Sequence, residues 1–139
     1  MEQFQVQILA ADRTFYEGPC ESITVPTSDG EIGIWANHSP MIAAVQPGTL
    51  RFRTPDGQEI TAATSPGMLK VEDNRVLVLV DSAELPEEID AARAQREADE
   101  AREAMMQKKS MQEYKMAQAT LARAANRLRV KSGFANINN

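Results

Sequence analysis

The residue with the clearest catalytic potential is His38, the only histidine among 139 residues. It lies in residues 29–40, DGEIGIWANHSP, together with Trp35, the only tryptophan. Acid–base or nucleophilic catalysis requires a partner within hydrogen-bond reach and a group that orients the base. The neighbouring hydroxyl belongs to Ser39, which precedes Pro40, and a single histidine supports no Ser-His-Asp order. We therefore expect no catalysis here, and one histidine among scattered carboxylates is an equally poor metal site.

The same segment has the composition of a turn. Gly30, after Asp29, and Gly33 can adopt positive φ angles and allow close backbone approach. We expect a structural turn that also serves as an interaction surface. Trp35 fits either an interface anchor or a half-buried core residue. The GEIG stretch lacks the lysine and the following helix of a phosphate-binding P-loop.

Composition excludes several classes of protein. Apolar residues make up 42% and charged residues 25%, and the net charge of −5 argues against a protein built to bind nucleic acid. We expect no transmembrane helix and no signal peptide, because neither a long apolar run nor a basic, apolar and cleavable start is present. One cysteine, Cys20, excludes an internal disulfide and a cysteine-based zinc site. This composition suggests a reducing, cytoplasmic-type compartment.

Charge is distributed unevenly along the chain. Residues 1–85 carry 12 acids and 5 bases, residues 86–106 carry 7 and 3, and residues 107–139 carry 1 and 7. The composition therefore changes near Pro86, and the end of the chain is strongly basic. This break predicts two parts.

The first part has the pattern of a β-sandwich or barrel. Alternating or apolar runs are separated by turn signals such as Pro55-Asp56-Gly57 and Asp73-Asn74, about every ten residues. The predicted strands are FQVQIL, ESITVP, MIAAV, TLRFRT, QEITAAT, MLKVE and RVLVLV. The last is apolar at most positions, so we place it in the interior of a sheet.

The second part has helical periodicity. Pro86 suits a first helical position, and three acids follow in the first turn. Apolar residues then recur at spacings of three and four, interrupted at residues 107–110 and ended by Gly133. The two series are Ala91, Ala94, Ala98, Ala101, Met105 and Tyr114, Ala117, Leu121, Ala124, Leu128. This pattern predicts two antiparallel helices of roughly 20 residues joined through a small, alanine-rich seam. We interpret the hairpin as weakly held and movable.

Four stretches resemble the epsilon subunit of bacterial-type F-type ATP synthases. They are GEIGIWANHSPMIAAVQPGTLRF, SPGMLKVEDNRVLVLVDSAE, IDAARA and ARAANRLRV, and the resemblance extends over nearly the whole chain. It implies an N-terminal β-sandwich of about ten strands in residues 1–85 and a C-terminal antiparallel α-helical hairpin in residues 86–139. Trp35, Ala36 and Asn37 depart from the family pattern, which often has Pro-Gly here, so we expect a loop less stiffened by proline.

The resemblance implies a non-catalytic subunit of the rotating central stalk. Its partners would be the gamma subunit, the loops of the proton-carrying ring and the catalytic alpha/beta subunits, whose ATP hydrolysis the hairpin would inhibit. By position in the motif, Glu31 would face the ring and His38 the gamma subunit, with Trp35 and Met41 in the same interface. The protein would be peripheral to the membrane, on the cytoplasmic face of the bacterial plasma membrane or, if plastid-type, on the stromal face of thylakoids.

The resemblance also implies an ATP site in some family members. The matching residues are Glu84, Ile89, Asp90, Arg93 and Ala94, and Arg123 and Arg127 could add phosphate contacts. Glu100 and Met116 stand where binding members have further bases, and Glu100 would repel phosphate. We therefore expect no required cofactor and at most weak ATP binding. In the alternative reading, Asp90 serves the helix N-terminus and forms a surface pair with Arg93.

The basic run Arg123, Arg127, Arg129 and Lys131 admits three interpretations. It is a solvated face, it pairs with the acidic first helix, or, as the resemblance implies, it inhibits by binding an acidic surface of the catalytic subunits. Few aromatics and an overall acidic chain disfavour nucleic acid, and a stripe without bulky residues disfavours a membrane surface. The alternative function is a free-standing β-sandwich adaptor with a ligand-sensing hairpin.

Overall fold

The computed structural model describes residues 2–107 and 110–138, with backbone alone for residues 134–138. The chain divides into two compact units, Met1–Glu84 and Leu85–Asn139. The first unit contains strands and the second contains helices. The predicted link at residues 107–110 includes Lys108 and Lys109, which lie outside the described residues.

The first unit is a ten-stranded β-sandwich, as expected. The strands follow the order β10-β7-β6-β3-β5-β8-β9-β1-β2, with β4 paired to β3. Neighbouring strands are antiparallel except β1 and β9, which are parallel. Their bounds are β1 Phe4–Leu9, β2 Thr14–Cys20, β3 Ser22–Thr27, β4 Gly30–Ile34, β5 Met41–Val45, β6 Gly48–Arg53, β7 Glu59–Thr64, β8 Gly67–Glu72, β9 Arg75–Val80 and β10 Ala83–Glu84.

Three of these strands were not among the seven predicted ones. The interpretation of residues 29–40 as a turn is wrong for β4, which pairs along its whole length with β3. Its two glycines concealed it, because glycine is rare in strand interiors. β2 contains Gly18 and Pro19 and lies at the edge of the sheet, where proline is tolerated. β10 has only two residues and is too short for a periodic signal.

The sandwich core is built from alternating strand positions. Phe4, Val6 and Ile8 of β1 are buried between more exposed glutamines, which agrees with the predicted half-buried pattern. The ring of Phe52 is 2% exposed and lies 4.5 Å, centroid to centroid, from that of Tyr16. β9 lies between β8 and β1, so its interior placement is confirmed.

The helical unit begins differently from the prediction. Pro86 opens a short 3₁₀ turn, Pro86–Glu88, and Ile89 then has an extended backbone, with φ −81° and ψ 125°. The first α-helix, α1, is Ala91–Gln107, so placing its start at Pro86 was wrong. The Glu88 side chain holds the 3₁₀ turn by accepting the Leu85 N–H at 2.8 Å.

The second helix, α2, is Met111–Asn138, so the predicted end at Gly133 was also wrong. Gly133 does not have a positive φ and continues the helix. A helical glycine costs about 1 kcal/mol relative to alanine but does not by itself end a helix. The alanine-rich faces are buried at Ala94, Ala98, Ala101, Ala117 and Ala124. Ala91, at the first position of α1, is exposed and lies outside this seam.

Candidate functional site

The predicted interface residues lie on β4, on the following loop and at the start of β5. Glu31 is an exposed residue of β4, and its Oε2 accepts a hydrogen bond from Nη2 of Arg51 at 3.2 Å. Trp35 is 53% exposed, and Met41 packs partly against the sandwich core. Arg51, on β6, was missed by the sequence reasoning, because it comes near Glu31 only once β3 pairs with both β4 and β6.

Trp35 and Gly33 form a local structure that determines where the indole lies. A Cβ atom placed on Gly33 would come within 2.9 Å of the Trp35 ring. The ring therefore folds back over the glycine, and the expected close approach at Gly33 is made by a side chain. Because Gly33 does not have a positive φ, its role is to provide space.

His38 has the contacts of a surface residue. Its Nδ1 lies 2.7 Å from the carbonyl oxygen of Ser39, which can only accept, so Nδ1 carries the proton in this hydrogen bond. In the part of the chain that the structure describes, this is the one hydrogen bond of the ring, and it involves no carboxylate or hydroxyl. The arrangement of a general base with an orienting acid is therefore not formed there.

An exposed apolar surface lies next to this loop. Its residues sit in cross-strand register on β5, β8 and β9, where Ala44 pairs with Met68 and Met68 pairs with Leu79. Ile42, one row away, is 71% exposed, while Met68 and Leu79 are 37% and 36% exposed. We call Ile42, Ala44, Met68 and Leu79 the apolar face. The sequence contained the signal in RVLVLV, which is apolar at outward as well as inward positions.

Charged residues border the apolar face on the same sheet. Lys70 is the register partner of Ile42 and forms an ion pair with Glu72 at 3.2 Å. An open groove continues over β1, β2, β8 and β9, with Glu17 and Arg75 among its lining residues. An apolar centre with a mixed-charge border is the usual anatomy of a protein–protein interface.

The residues of the predicted ATP site occupy both units. Glu84 is in β10 of the strand unit, and Ile89, Asp90, Arg93 and Ala94 are in the helical unit. Ile89 and Ala94 are buried, at 3% and 2% exposure. Oδ1 of Asp90 accepts the backbone N–H of Arg93 at 3.1 Å, and the Asp90 carbonyl accepts that of Ala94 at 3.0 Å. Asp90 is therefore the N-cap of α1.

The guanidinium of Arg93 does not pair with Asp90. Its Nε donates to Oε1 of Glu97 at 3.1 Å, while Nη1 of Arg127 on α2 lies 3.5 Å from Oε2 of the same carboxylate. The Glu97 and Arg127 side chains are 30% and 27% exposed. One acid thus holds two of the cations expected to contact phosphate. Sequence reasoning missed Glu97, although its i,i+4 spacing from Arg93 is a helix-pairing signal.

The rest of the basic run has separate contacts. Nη2 of Arg123 donates to the Thr120 hydroxyl at 3.3 Å, and Arg129 is exposed. Nζ of Lys131 donates to the carbonyl of Pro86 at 3.0 Å, within the helical unit. Pairing with the acidic first helix therefore holds for Arg127, while Arg129 has the solvated position.

The groups with shifted pKa values lie away from the loop. Burial raises the pKa of the Cys20 thiol to about 11 against the opposing effect of a hydrogen bond with Tyr16. Burial, with smaller contributions from Cys20, raises the pKa of Tyr16 to about 12. Both are protonated at neutral pH, so neither is an activated nucleophile. Over the described residues no cluster of potential metal ligands occurs, and no helix is long and apolar enough to cross a membrane.

Comparisons with known proteins agree over both units. The beta-sandwich domain of the ATP synthase Delta/Epsilon chain matches residues 3–86, and the long alpha-helix domain of the same chain matches residues 87–132. The ATP synthase epsilon chain of Caldanaerobacter subterraneus subsp. tengcongensis is 44% identical over 132 residues, covering 94% of this chain and 95% of the relative. That of Caldicellulosiruptor bescii is 39% identical over 130 residues, 94% of each chain.

Two solved structures share the fold. A chain of the Euglena gracilis mitochondrial ATP synthase, in a structure of OSCP, F1 and c-ring in rotational state 1, has a TM-score of 0.79 at 24% identity, over 89% of this chain and 78% of that one. A chain of the Tetrahymena thermophila mitochondrial ATP synthase central stalk and c-ring has a TM-score of 0.65 at 13% identity, over 94% and 97%. These two structures agree in fold, and the family models and the relatives of 39–44% identity show that the chain belongs to the ATP synthase epsilon chains, non-catalytic subunits of that complex.

Proposed function

We propose that this chain is a central-stalk rotor subunit of a proton-translocating F-type ATP synthase, where it links the gamma subunit to the membrane ring. The observation that carries the proposal is the apolar face beside residues 35–40, the loop between β4 and β5 that we call the Trp35 loop. Ile42 alone is 71% exposed, and its neighbours Met68 and Leu79 extend the surface across two further strands. Contiguous exposed apolar residues bordered by charge mark protein–protein contacts.

An apolar contact suits a rotor subunit because the interface must be long-lived. A subunit that turns with an axle must remain attached through many cycles, and long-lived interfaces have the more apolar centres. Gamma would cover the apolar face, with Trp35 and His38 beside it. Both structural neighbours are chains of ATP synthase assemblies that include the c-ring, and one of these assemblies is the central stalk with its c-ring, which supports this placement.

The ring contact would be polar. Glu31 is exposed and is oriented by Arg51, so this pair offers both signs of charge to the loops of the proton-carrying ring. This contact would make the chain peripheral to the membrane, on the cytoplasmic face in a bacterium. The bacterial origin of the close relatives supports that location over the thylakoid alternative.

The helical unit would regulate hydrolysis. Residues 107–139 carry 7 bases and 1 acid, and Arg129 is free to approach an acidic surface on the catalytic subunits. Arg123 and Arg127 would join it once their present hydrogen bonds with Thr120 and Glu97 are exchanged. The alanine seam favours such movement because it buries little area per residue.

ATP binding by the isolated chain would be weak and would not be required for assembly. Asp90 already serves as a helix cap, and Glu97 already occupies Arg93 and Arg127. A triphosphate must therefore displace the Glu97 carboxylate from both arginines, and this carboxylate competes strongly because it belongs to the same chain. We expect dissociation constants no tighter than about millimolar.

The gamma contact can be tested by placing a charge on the apolar face. Ile42→Glu adds a carboxylate where the free chain tolerates it, because this side chain is already 71% exposed. It should weaken binding to purified gamma subunit by at least about tenfold, because burying a carboxylate is costly and the neighbouring Lys70 already pairs with Glu72. The matched control is Gln58→Glu, which adds the same charge in the β6–β7 turn. Equal affinities for the two variants would show that gamma does not cover the apolar face.

A further inference from the structure

Asparagine side chains tie the Trp35 loop to two distant segments of the sandwich. Oδ1 of Asn74, in the β8–β9 turn, accepts the backbone N–H of Asn37 at 2.7 Å. Nδ2 of Asn74 donates to the carbonyl of Gln3 at 3.2 Å, and the Asn74 carbonyl accepts the Gln5 N–H at 3.2 Å. Nδ2 of Asn37 donates to Oε2 of Glu2 at 2.8 Å. One turn residue thus joins three parts of the chain.

The backbone at both asparagines explains why this residue type occurs there. Asn37 and Asn74 have φ values of 63° and 58°, in the left-handed region that asparagine tolerates better than most residues. Glycine would adopt the same conformation but would provide no side-chain bonds. The two positions therefore combine a backbone requirement with a tethering function.

We propose that Asn74 is a positioning residue that holds residues 35–39 in place for docking onto a partner subunit. The proposal rests on the function proposed above, in which Trp35 and His38 contact gamma. Residues 35–39 contain no proline, so the order of this stretch depends on contacts such as the Asn37–Asn74 bond and on the restriction that Pro40 places on Ser39. A loop that is ordered before binding loses less conformational freedom on binding, which strengthens the complex.

The test uses the full chain with three substitutions. Asn74→Gly keeps the left-handed backbone and removes both side-chain bonds. Asn74→Asp keeps the oxygen that accepts the Asn37 N–H and loses the donor to Gln3. Asp73→Gly is the matched control, because Asp73 lies in the same turn with φ 52° and its side chain takes no part in the tether.

Three measurements separate ordering from docking. They are the hydrogen-exchange rate of the Asn37 amide, the fluorescence anisotropy of Trp35 and the affinity for purified gamma subunit. In Asn74→Gly the Asn37 amide should exchange about 2- to 10-fold faster, the factor expected for one ordinary hydrogen bond. Trp35 anisotropy should fall and gamma affinity should drop by a similar factor. Asn74→Asp and Asp73→Gly should stay close to the unaltered chain.

Two results would overturn the proposal. In the first, Asn37 exchange is the same in Asn74→Gly and Asp73→Gly, which would show that Asn74 does not order the loop. In the second, exchange rises while gamma affinity falls no further than in the control, which would show that the ordering does not serve docking. Failure of the unaltered chain to bind gamma would instead refute the proposed function and the docking role with it. The exchange rates would still report whether Asn74 orders the loop.

Discussion

Replacing Glu97 by glutamine tests whether this carboxylate keeps ATP from the hairpin. Glu97 accepts Nε of Arg93 at 3.1 Å and lies 3.5 Å from Nη1 of Arg127. Glutamine retains the shape and one acceptor oxygen but removes the negative charge. Both guanidiniums would then lose the negative charge of Glu97, which competes with a phosphate for them.

The size of the effect follows from the position of the acid. Two unit charges 4 Å apart interact by about 1 kcal/mol in water and about 4 kcal/mol near a protein surface. Glu97 is 30% exposed, so we expect a value toward the lower end, about 1–2 kcal/mol. This corresponds to an increase in ATP affinity of roughly 5- to 30-fold. Losing one i,i+4 pair and one half-buried pair should destabilise the hairpin by about 1 kcal/mol.

The assay is a titration of the full chain with ATP followed by the NMR signals of the arginine side chains. The matched control is Glu103→Gln, which makes the same charge change on an exposed position of α1. We expect Glu97→Gln to bind at least about fivefold more tightly than the control. Equal dissociation constants would refute the reasoning that Glu97 competes with phosphate.

Two further predictions concern the hairpin and the core. Truncation after Leu85 should leave assembly and proton coupling largely intact. ATP hydrolysis by the reconstituted complex should rise, because residues 107–139, which hold 7 of the 15 bases, are removed. Equal hydrolysis with full-length and truncated chain at equal occupancy would show that the hairpin does not inhibit hydrolysis. Burial raises the Cys20 pKa from 9.0 to about 11, so the folded chain keeps a proton that the unfolded chain releases, and stability should fall as the pH rises from 9 to 11. Denaturant titrations should show a smaller fall for Cys20→Ala, and the same fall would mean that the thiol is not responsible.

Local patterns in the sequence were enough to identify much of the scaffold. Seven strands were visible because side chains alternate between a buried and an exposed face, as at Phe4, Val6 and Ile8 in β1. The helical seam was visible for the same reason at a different period, since Ala94, Ala98 and Ala101 all lie on one buried face. The ends of the helices were less predictable. Glycine ends a helix only where its backbone leaves the helical angles, and Gly133 keeps them, so α2 continues past it.

The candidate site could be predicted only in part. The sequence pointed to Glu31, Trp35 and His38 through their residue types and their place in a motif, and to Asp90 as a helix N-terminal acid. It could not indicate Arg51 beside Glu31, because that contact depends on β3 separating β4 from β6. It could not indicate Asn74 beside Asn37 either, since 37 residues separate them along the chain.

The sequence by itself determined the two-part architecture and the family, because periodicity, composition and motifs are properties of neighbouring residues. Only the tertiary structure decided which charges and amides are already engaged. Glu97 reaches Arg127 across 30 residues, and Ile42, Met68 and Leu79 form one apolar face only after three strands pair in register. Contacts between distant segments depend on strand register and helix packing, and these are set by the fold as a whole rather than by local residue patterns.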